Sequence, residues 1–206
     1  MDLAIRDVQE CELDAVLVIN NTASQSILPM DKARLRYFFD HADYFRVAEI
    51  NGHLAGFLLA LRDGGNYNSI NYRWFCEHYP QFLYIDRIVI ASAYQRHGLG
   101  RVFYCDVESF AEVRVPLLAC EIFLEPRDDI AMLFHGTYGF HEVGQQRATP
   151  QKRRVSLLVK ELPGYSYVHD TWIAHGGLPD QPWLASRQIA NVQVIRPHYA
   201  AVKRHS

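Results

Sequence analysis

Two β-rich apolar runs, 44–50 and 53–61, flank the dipeptide Asn51-Gly52. A two-residue turn of that composition is the type I′ connection, in which both central positions take φ > 0, so the segment predicts a β-hairpin. Before it, Leu3, Ala4 and Ile5 read as a short strand. Asp7 with Glu10 three residues on resembles a capping box opening a helix to about Asn20. Met30, Leu35, Phe38 and Phe39 recur near helical spacing and predict a second helix over 31–40, with residues 21–29 as a loop.

The pattern after the hairpin alternates strands and helices. Residues 82–91 are rich in Ile and Val and read as a strand. A glycine-containing loop leads to a helix whose Leu99, Phe103, Val107 and Phe110 form a buried stripe ending before Pro116. Residues 117–124 are nearly continuous apolar, as a central strand covered on both faces requires, with Glu121 the one ionisable exception. Asp128 or Asp129 caps a further helix that Gly139 ends, and 140–144 and 155–162 are closing strands around a polar stretch. The sum is an α/β chain with a mixed sheet of six to seven strands and helices on both faces, occupying residues 1–162. From Pro163 to Ser206, with Trp172, Trp183, His175-Gly176-Gly177 and three further prolines, no periodicity persists, and these residues read as a tail.

Composition narrows the function classes. At 206 residues and 49% apolar the chain builds one core of ordinary size rather than two domains. A formal charge of −2 offers no basic field for nucleic acid or an anionic membrane. No segment reaches the ~20 apolar residues of a membrane span, and the N-terminus lacks the pattern of a secretory leader, so a cytoplasmic protein is expected. Cys11, Cys76, Cys105 and Cys120 form no CxxC pair, which points to free thiols and to no metal site.

Candidate chemistry concentrates at Gln95-Arg96-His97-Gly98-Leu99-Gly100-Arg101. A buried strand that feeds a glycine loop opening a helix aims several backbone N–H groups at one spot, and the helix dipole adds partial positive charge there. Gly98 and Gly100 permit close approach, while Arg96, His97 and Arg101 supply donors, so an anion such as a phosphate is the expected ligand. Neither GxGxxG nor GxxxxGK[ST] is present, which weighs against dinucleotides and ATP.

With Ile88-Val89-Ile90 ahead of it, this loop resembles the [QR]xxGx[GA] pyrophosphate motif of the GNAT superfamily of N-acetyltransferases. Ala131-Met132-Leu133-Phe134 and Tyr138-Gly139-Phe140 resemble that family's second landmark, a helix ending in GF before a strand. The likeness spans about the first four-fifths of the chain. Asn71-Tyr72, Trp74-Phe75 and the run from Phe82 to Arg87 are similar to one bacterial group within it. The resemblance implies acetyl-CoA as cofactor and a small-molecule or peptide amine as acceptor. It also implies backbone pairing of Ile88, Val89 and Ile90 with the pantetheine arm, pyrophosphate held by the amides of residues 95–100, and Asp128 and Phe134 on a helix flanking the thioester. A homodimer is expected over a monomer on the same ground.

Transfer to an amine needs a proton acceptor, because an amine of pKa ~10.4 is neutral in only about one molecule in a few thousand at pH 7. Asp86, in an otherwise apolar run on the strand leading to the loop, is a candidate general base, and an ion pair with Arg87 is the bland alternative. Glu121 on the neighbouring strand is the second carboxylate, with a structural acid as its alternative. Tyr84, two residues before Asp86, shares its strand face and is a candidate for orienting substrate or serving the leaving thiolate. Where the family often has a thiolate-protonating tyrosine, this chain has Phe134, which has no proton to give. His135 and Tyr138 are adjacent, the first expected to be exposed and the second to pack inward. Phe134 also motivates a competing reading, an acyl-CoA-binding sensor without turnover.

The aromatic segment 62–81 is too long for a plain linker and stands where a wall of the acceptor cleft belongs. Tyr67, Asn71, Tyr72, Trp74 and Tyr79 are the candidate substrate contacts, through cation–π faces worth roughly 0.5–2 kcal/mol each. The alternative is a satellite core that pins the loop. Residues 24–31 are a second candidate wall.

Overall fold

Asn51 and Gly52 both take positive φ, 49° and 80°, the geometry a type I′ turn demands. The turn joins two strands at the centre of the first half of the chain. In the computed structural model, which describes residues 2–23, 26–125, 127–148 and 153–177, β1 (Leu3–Asp7) is followed by a 3-10 turn (Glu10–Glu12), α1 (Leu13–Asn21) and α2 (Lys32–His41). The hairpin is β2 (Tyr44–Ile50) and β3 (His53–Arg62). Then come α3 (Ile70–His78), β4 (Leu83–Ile90), α4 (Leu99–Ala111), β5 (Leu117–Phe123) and α5 (Asp129–Thr137). The chain continues as β6 (His141–Ala148), β7 (Arg153–Glu161) and α6 (Pro163–Thr171).

The strands form one sheet in the order β1-β2-β3-β4-β5-β7-β6. Every neighbouring pair is antiparallel except β4 and β5. One face carries Leu58, Leu83, Ile85, Leu118 and Cys120 against the stripe Leu99, Phe103, Val107 and Phe110 of α4. The other carries Phe57, Leu59, Tyr84, Ala119 and Val159 against Val16, Leu35, Phe38, Tyr72 and Phe75 of the first three helices. Burying each such Leu or Phe stabilises the fold by about 1.5–3 kcal/mol. The expected mixed sheet with helices on both faces is the observed one.

Three expectations change. The capping box at the first helix is Gln9 with Glu12, not Asp7 with Glu10. Asp7 accepts from Arg46 Nε at 3.0 Å and Glu10 pairs with Arg36, so both carboxylates are already engaged. Within the segment 62–81 a helix forms, capped by the Ser69 hydroxyl, which accepts from the Tyr72 N–H at 3.3 Å. Finally, residues 163–171 are helical rather than irregular. Pro163 stands in the first turn, where its missing N–H costs nothing, and Tyr165 packs on the α4 side of the core. Trp183 and the basic residues Arg187, Arg196, Lys203 and Arg204 lie outside the described residues.

The feature that positions the site is where β4 and β5 separate. They pair only at Leu83↔Leu118 and Tyr84↔Ala119. On its other edge β4 pairs with β3 as Ala60↔Ile85 and Leu59↔Arg87, which leaves Asp86 as an extra, bulged residue. A bulge bends a strand and increases its twist, and here it turns β4 away from β5 immediately above the last parallel pair. β5 meanwhile stays paired with β7 along its whole length.

Candidate active site

Above the split, Ile88, Val89 and Ile90 bond to Leu58, Phe57 and Gly56 of β3. Among the described residues no strand covers their other edge. Gly56 is required here, since a Cβ at that position would lie 2.5 Å from the Val89 carbonyl oxygen. The chain then bends through a 3-10 turn at Ser92–Tyr94 into the glycine loop, with Arg96 at φ 65° and Gly98 at φ 82°. Gln95 folds back and donates its side-chain amide to the Ile90 carbonyl at 3.1 Å. Buried Leu99 anchors the first turn of α4.

Among the described residues, no backbone carbonyl accepts from the amides of residues 96–101, and Arg96, His97 and Arg101 are exposed and form no ion pair. Exposed donors without an intramolecular partner, at the positive end of a 13-residue helix, are an arrangement that favours an anion. The residues therefore suit the diphosphate of a coenzyme. On the far side, Asp128 caps α5 by accepting from Ala131 N–H at 2.9 Å. Phe134 closes over the first turn of α4, its ring 3.0 Å from where a Cβ on Gly100 would be. His135, expected to be exposed, is 7% exposed. Its Nδ1 bonds to the Ala131 carbonyl at 2.7 Å, and burial lowers its pKa below the ordinary histidine value. A neutral imidazole with its N–H already committed is a poor acid. Tyr138 is partly buried against Phe134, as expected.

The carboxylates lie on the opposite face of the sheet. Fully buried Tyr84, from the last paired position of β4, donates its hydroxyl to Glu121 of β5. Glu121 keeps some accessible surface, yet burial, opposed by the hydrogen bond from Tyr84 and reinforced by the charge of Asp86, pushes its pKa up to about 7. Asn71 of α3 also hydrogen-bonds to Glu121, and the Asn71 side-chain oxygen accepts from the Gln146 side-chain amide of β6 at 2.5 Å. Asp86 is engaged on both oxygens, one accepting from Arg87 Nε at 2.7 Å and the other from the Tyr67 hydroxyl. Arg87 in turn donates to Asn20 at 2.7 Å and to the Leu28 carbonyl at 3.1 Å, tying the loop between α1 and α2 to β4.

Of the aromatic candidates, Tyr67 and Tyr72 are core residues, 7% and 1% exposed. The Tyr72 hydroxyl donates to the Arg62 carbonyl and accepts from Gly65 N–H, so this tyrosine pins the loop rather than meeting solvent. Asn71 is buried beside Glu121. Trp74 is partly exposed, stacked on His78 at 3.8 Å and placed over Gly144, and Tyr79 packs beside it. In the second candidate wall, residues 24 and 25 lie outside the described residues. Sequence reasoning missed Gln146, read as part of a polar connection, and Arg34 of α2, whose Nη2 donates to the Tyr67 hydroxyl at 2.6 Å. Strand alternation at Gln146 and the position of Arg34 one turn before Phe38 were the signals available.

Comparisons with known proteins agree with this geometry. The sequence model described as the Acetyltransferase (GNAT) family matches residues 10–140. No curated protein matches the sequence. Among solved structures, the ribosomal-protein-S18-alanine N-acetyltransferase from Escherichia coli is similar at TM-score 0.59 and 17% identity, over 78% of this chain and 94% of that one. Ard1 from Thermoplasma volcanium is similar at TM-score 0.63 and 14% identity, over 79% and 99%. Naa50 from Arabidopsis thaliana, in complex with the bisubstrate analogue CoA-Ac-MVNAL, is similar at TM-score 0.59 and 11% identity, over 78% and 99%. The chain thus belongs to the GNAT family of acetyltransferases.

Proposed function

We propose that this acetyltransferase moves the acetyl group to a primary amine of a small metabolite, amino acid or peptide by direct attack, with Glu121 as general base. Acetyl-CoA supplies the activated acetyl group. The residues of this chain bind it and manage the proton. The amides and basic side chains of residues 95–101 hold the diphosphate, and the open edge of Ile88, Val89 and Ile90 offers backbone groups to the pantetheine arm. Phe134 and the α5 helix capped by Asp128 wall its far side.

One observation carries the assignment of the base. Glu121 lies directly beside the last β4–β5 pair with a pKa of about 7, which matches proton abstraction near neutral pH. Tyr84 and Asn71 orient its carboxylate by donating to it. Asp86, already paired with Arg87 and Tyr67, acts by its charge rather than as the acceptor of the proton. Among the described residues, no cysteine is paired with a base that would make it a nucleophile: Cys120 is buried, and burial pushes its thiol well above the ordinary value.

A second reading, an acyl-CoA-binding sensor, draws on Phe134, whose ring fills the space over Gly100 and carries no proton. Release of free thiol from acetyl-CoA with a panel of amines separates the two. Turnover that depends on Glu121 supports the enzyme, whereas acetyl-CoA binding without turnover on any amine supports the sensor. The enzyme reading implies a cytoplasmic location, and we also propose a homodimer, which sedimentation of the full chain tests.

A further inference from the structure

The helix α2 carries three cations at Lys32, Arg34 and Arg36, and two of them are matched. Lys32 pairs with Asp14 at 2.8 Å, and Arg36 pairs with Asp40 at 2.9 Å and with Glu10. Arg34 has no carboxylate within ion-pair range among the described residues. The nearby Asp31 uses its side chain to cap the helix, accepting from the Arg34 backbone N–H at 2.8 Å. The hydrogen-bond partner of the Arg34 guanidinium is neutral, the Tyr67 hydroxyl at 2.6 Å.

Arg34 is an exposed residue, and yet its guanidinium is held in place. It lies 5.4 Å from the Phe38 ring centroid and 5.6 Å from that of Tyr67. Tyr67 is fixed from behind by its hydrogen bond to Asp86, and its ring is 6.4 Å from that of Tyr84, the tyrosine bound to Glu121. A planar cation preorganised on aromatic faces, with donors to spare, is suited to grip a carboxylate in two places. Charge accounting around it agrees. Asp86 and Arg87 neutralise one another, and once Glu121 has taken a proton the acceptor side retains the positive charge of Arg34.

We propose that Arg34 is an anion subsite of the acceptor cleft and that the acceptor is an amine bearing a carboxylate. This rests on the amine-acetylation reading above and adds the substrate class to it. The carboxylate can be the α-carboxylate of a free amino acid or an acidic side chain near the N-terminus of a peptide.

Thiol release from acetyl-CoA, measured with matched acceptor pairs on the full chain, tests it. One series compares free amino acids with their amides, and the other compares short peptides carrying Glu or Gln at the first two positions. The expected result is a kcat/KM about 10- to 100-fold higher for the carboxylate member of one series, expressed in KM rather than kcat. Arg34→Met, which retains an unbranched stem over the rings, removes that preference, and Arg34→Lys restores part of it. The series that discriminates identifies the source of the carboxylate. Turnover without discrimination in either series, or a preference that survives in Arg34→Met with an unchanged melting temperature, overturns the subsite while leaving amine acetylation intact. No turnover with any member overturns both.

Discussion

The hydroxyl of Tyr84 donates to the carboxylate of Glu121 across the last parallel pair before β4 and β5 part. Because Tyr84 is fully buried and Glu121 partly so, this contact fixes one acidic group at the floor of the split. If Glu121 takes the proton from the amine, kcat/KM rises with pH through about 7, the value to which burial has raised it. Glu121→Gln should lower kcat/KM by about 10²- to 10⁴-fold and remove that limb of the profile. A Gln variant that retains the wild-type profile excludes Glu121 as the base.

The same carboxyl makes stability depend on pH. Its pKa is raised in the folded state from 4.5 to about 7, so folding favours the protonated form. The stabilisation is fully present below about 4.5 and is lost as pH rises through about 7, a change of about 3 kcal/mol at 1.36 kcal/mol per pKa unit. Chemical denaturation at pH 5 and pH 9 should show the wild type losing stability relative to Glu121→Gln across that interval. Parallel behaviour of the two proteins counts against a protonated Glu121 at neutral pH.

Asp86 acts on the base through its charge. It raises the Glu121 pKa by its charge, after the larger effect of burial. Asp86→Asn removes that charge and leaves Arg87, whose side chain is 6% exposed, without its carboxylate partner. Loss of one member of a buried pair costs about 3–5 kcal/mol, so the melting temperature should drop clearly. The acid limb of kcat/KM should persist and move to lower pH. Were Asp86 itself the base, the limb would vanish in this variant and persist in Glu121→Gln.

Much of this arrangement was legible where it is local. The Asn51-Gly52 turn, the buried stripe of α4 and the glycine loop each depend on neighbours in sequence, so residue type and spacing are enough to read them. The bulge at Asp86 depends on how β4 pairs with β3, and the choice between Asp86 and Glu121 follows from that register and from burial, neither of which a linear pattern contains. The helix α3 had a signal in Ser69, which caps it, but Gly64-Gly65-Asn66 and the β-favouring aromatics around it suggested a loop. Asn71, expected to face substrate, faces Glu121 because that helix lies across the sheet.

The loop proposed to cradle the coenzyme makes a different kind of prediction at its two glycines. A Cβ on Gly98 meets nothing within 4 Å, so Gly98→Ala acts only through its φ of 82°, at about 1–2 kcal/mol. At Gly100 the φ is unremarkable and the obstacle is the Phe134 ring at 3.0 Å. Calorimetry should therefore show weaker acetyl-CoA binding in both variants, with Gly100→Ala partly restored by Phe134→Leu and Gly98→Ala not. A coupling energy of about 0.5–3 kcal/mol between positions 100 and 134 is the expected size for residues in contact. Unchanged affinity in both glycine variants removes the loop from the cofactor site.

Asn71 is a further determinant of the base. Its side chain hydrogen-bonds to Glu121 and lowers that pKa, against the larger upward effect of burial, while its carbonyl accepts from Gln146 at 2.5 Å. With its oxygen held by Gln146, the amide is left presenting N–H to the carboxylate, the form that favours ionisation. Asn71→Leu removes the donor, so the acid limb should move to higher pH. Gln146→Leu frees the amide to rotate and should shift the limb the same way by less. Because Asn71 is buried, a melting curve must accompany each profile: loss of stability alone lowers the amount of active enzyme without moving its pH dependence. A limb that stays at the wild-type position in both variants assigns Asn71 a packing role only.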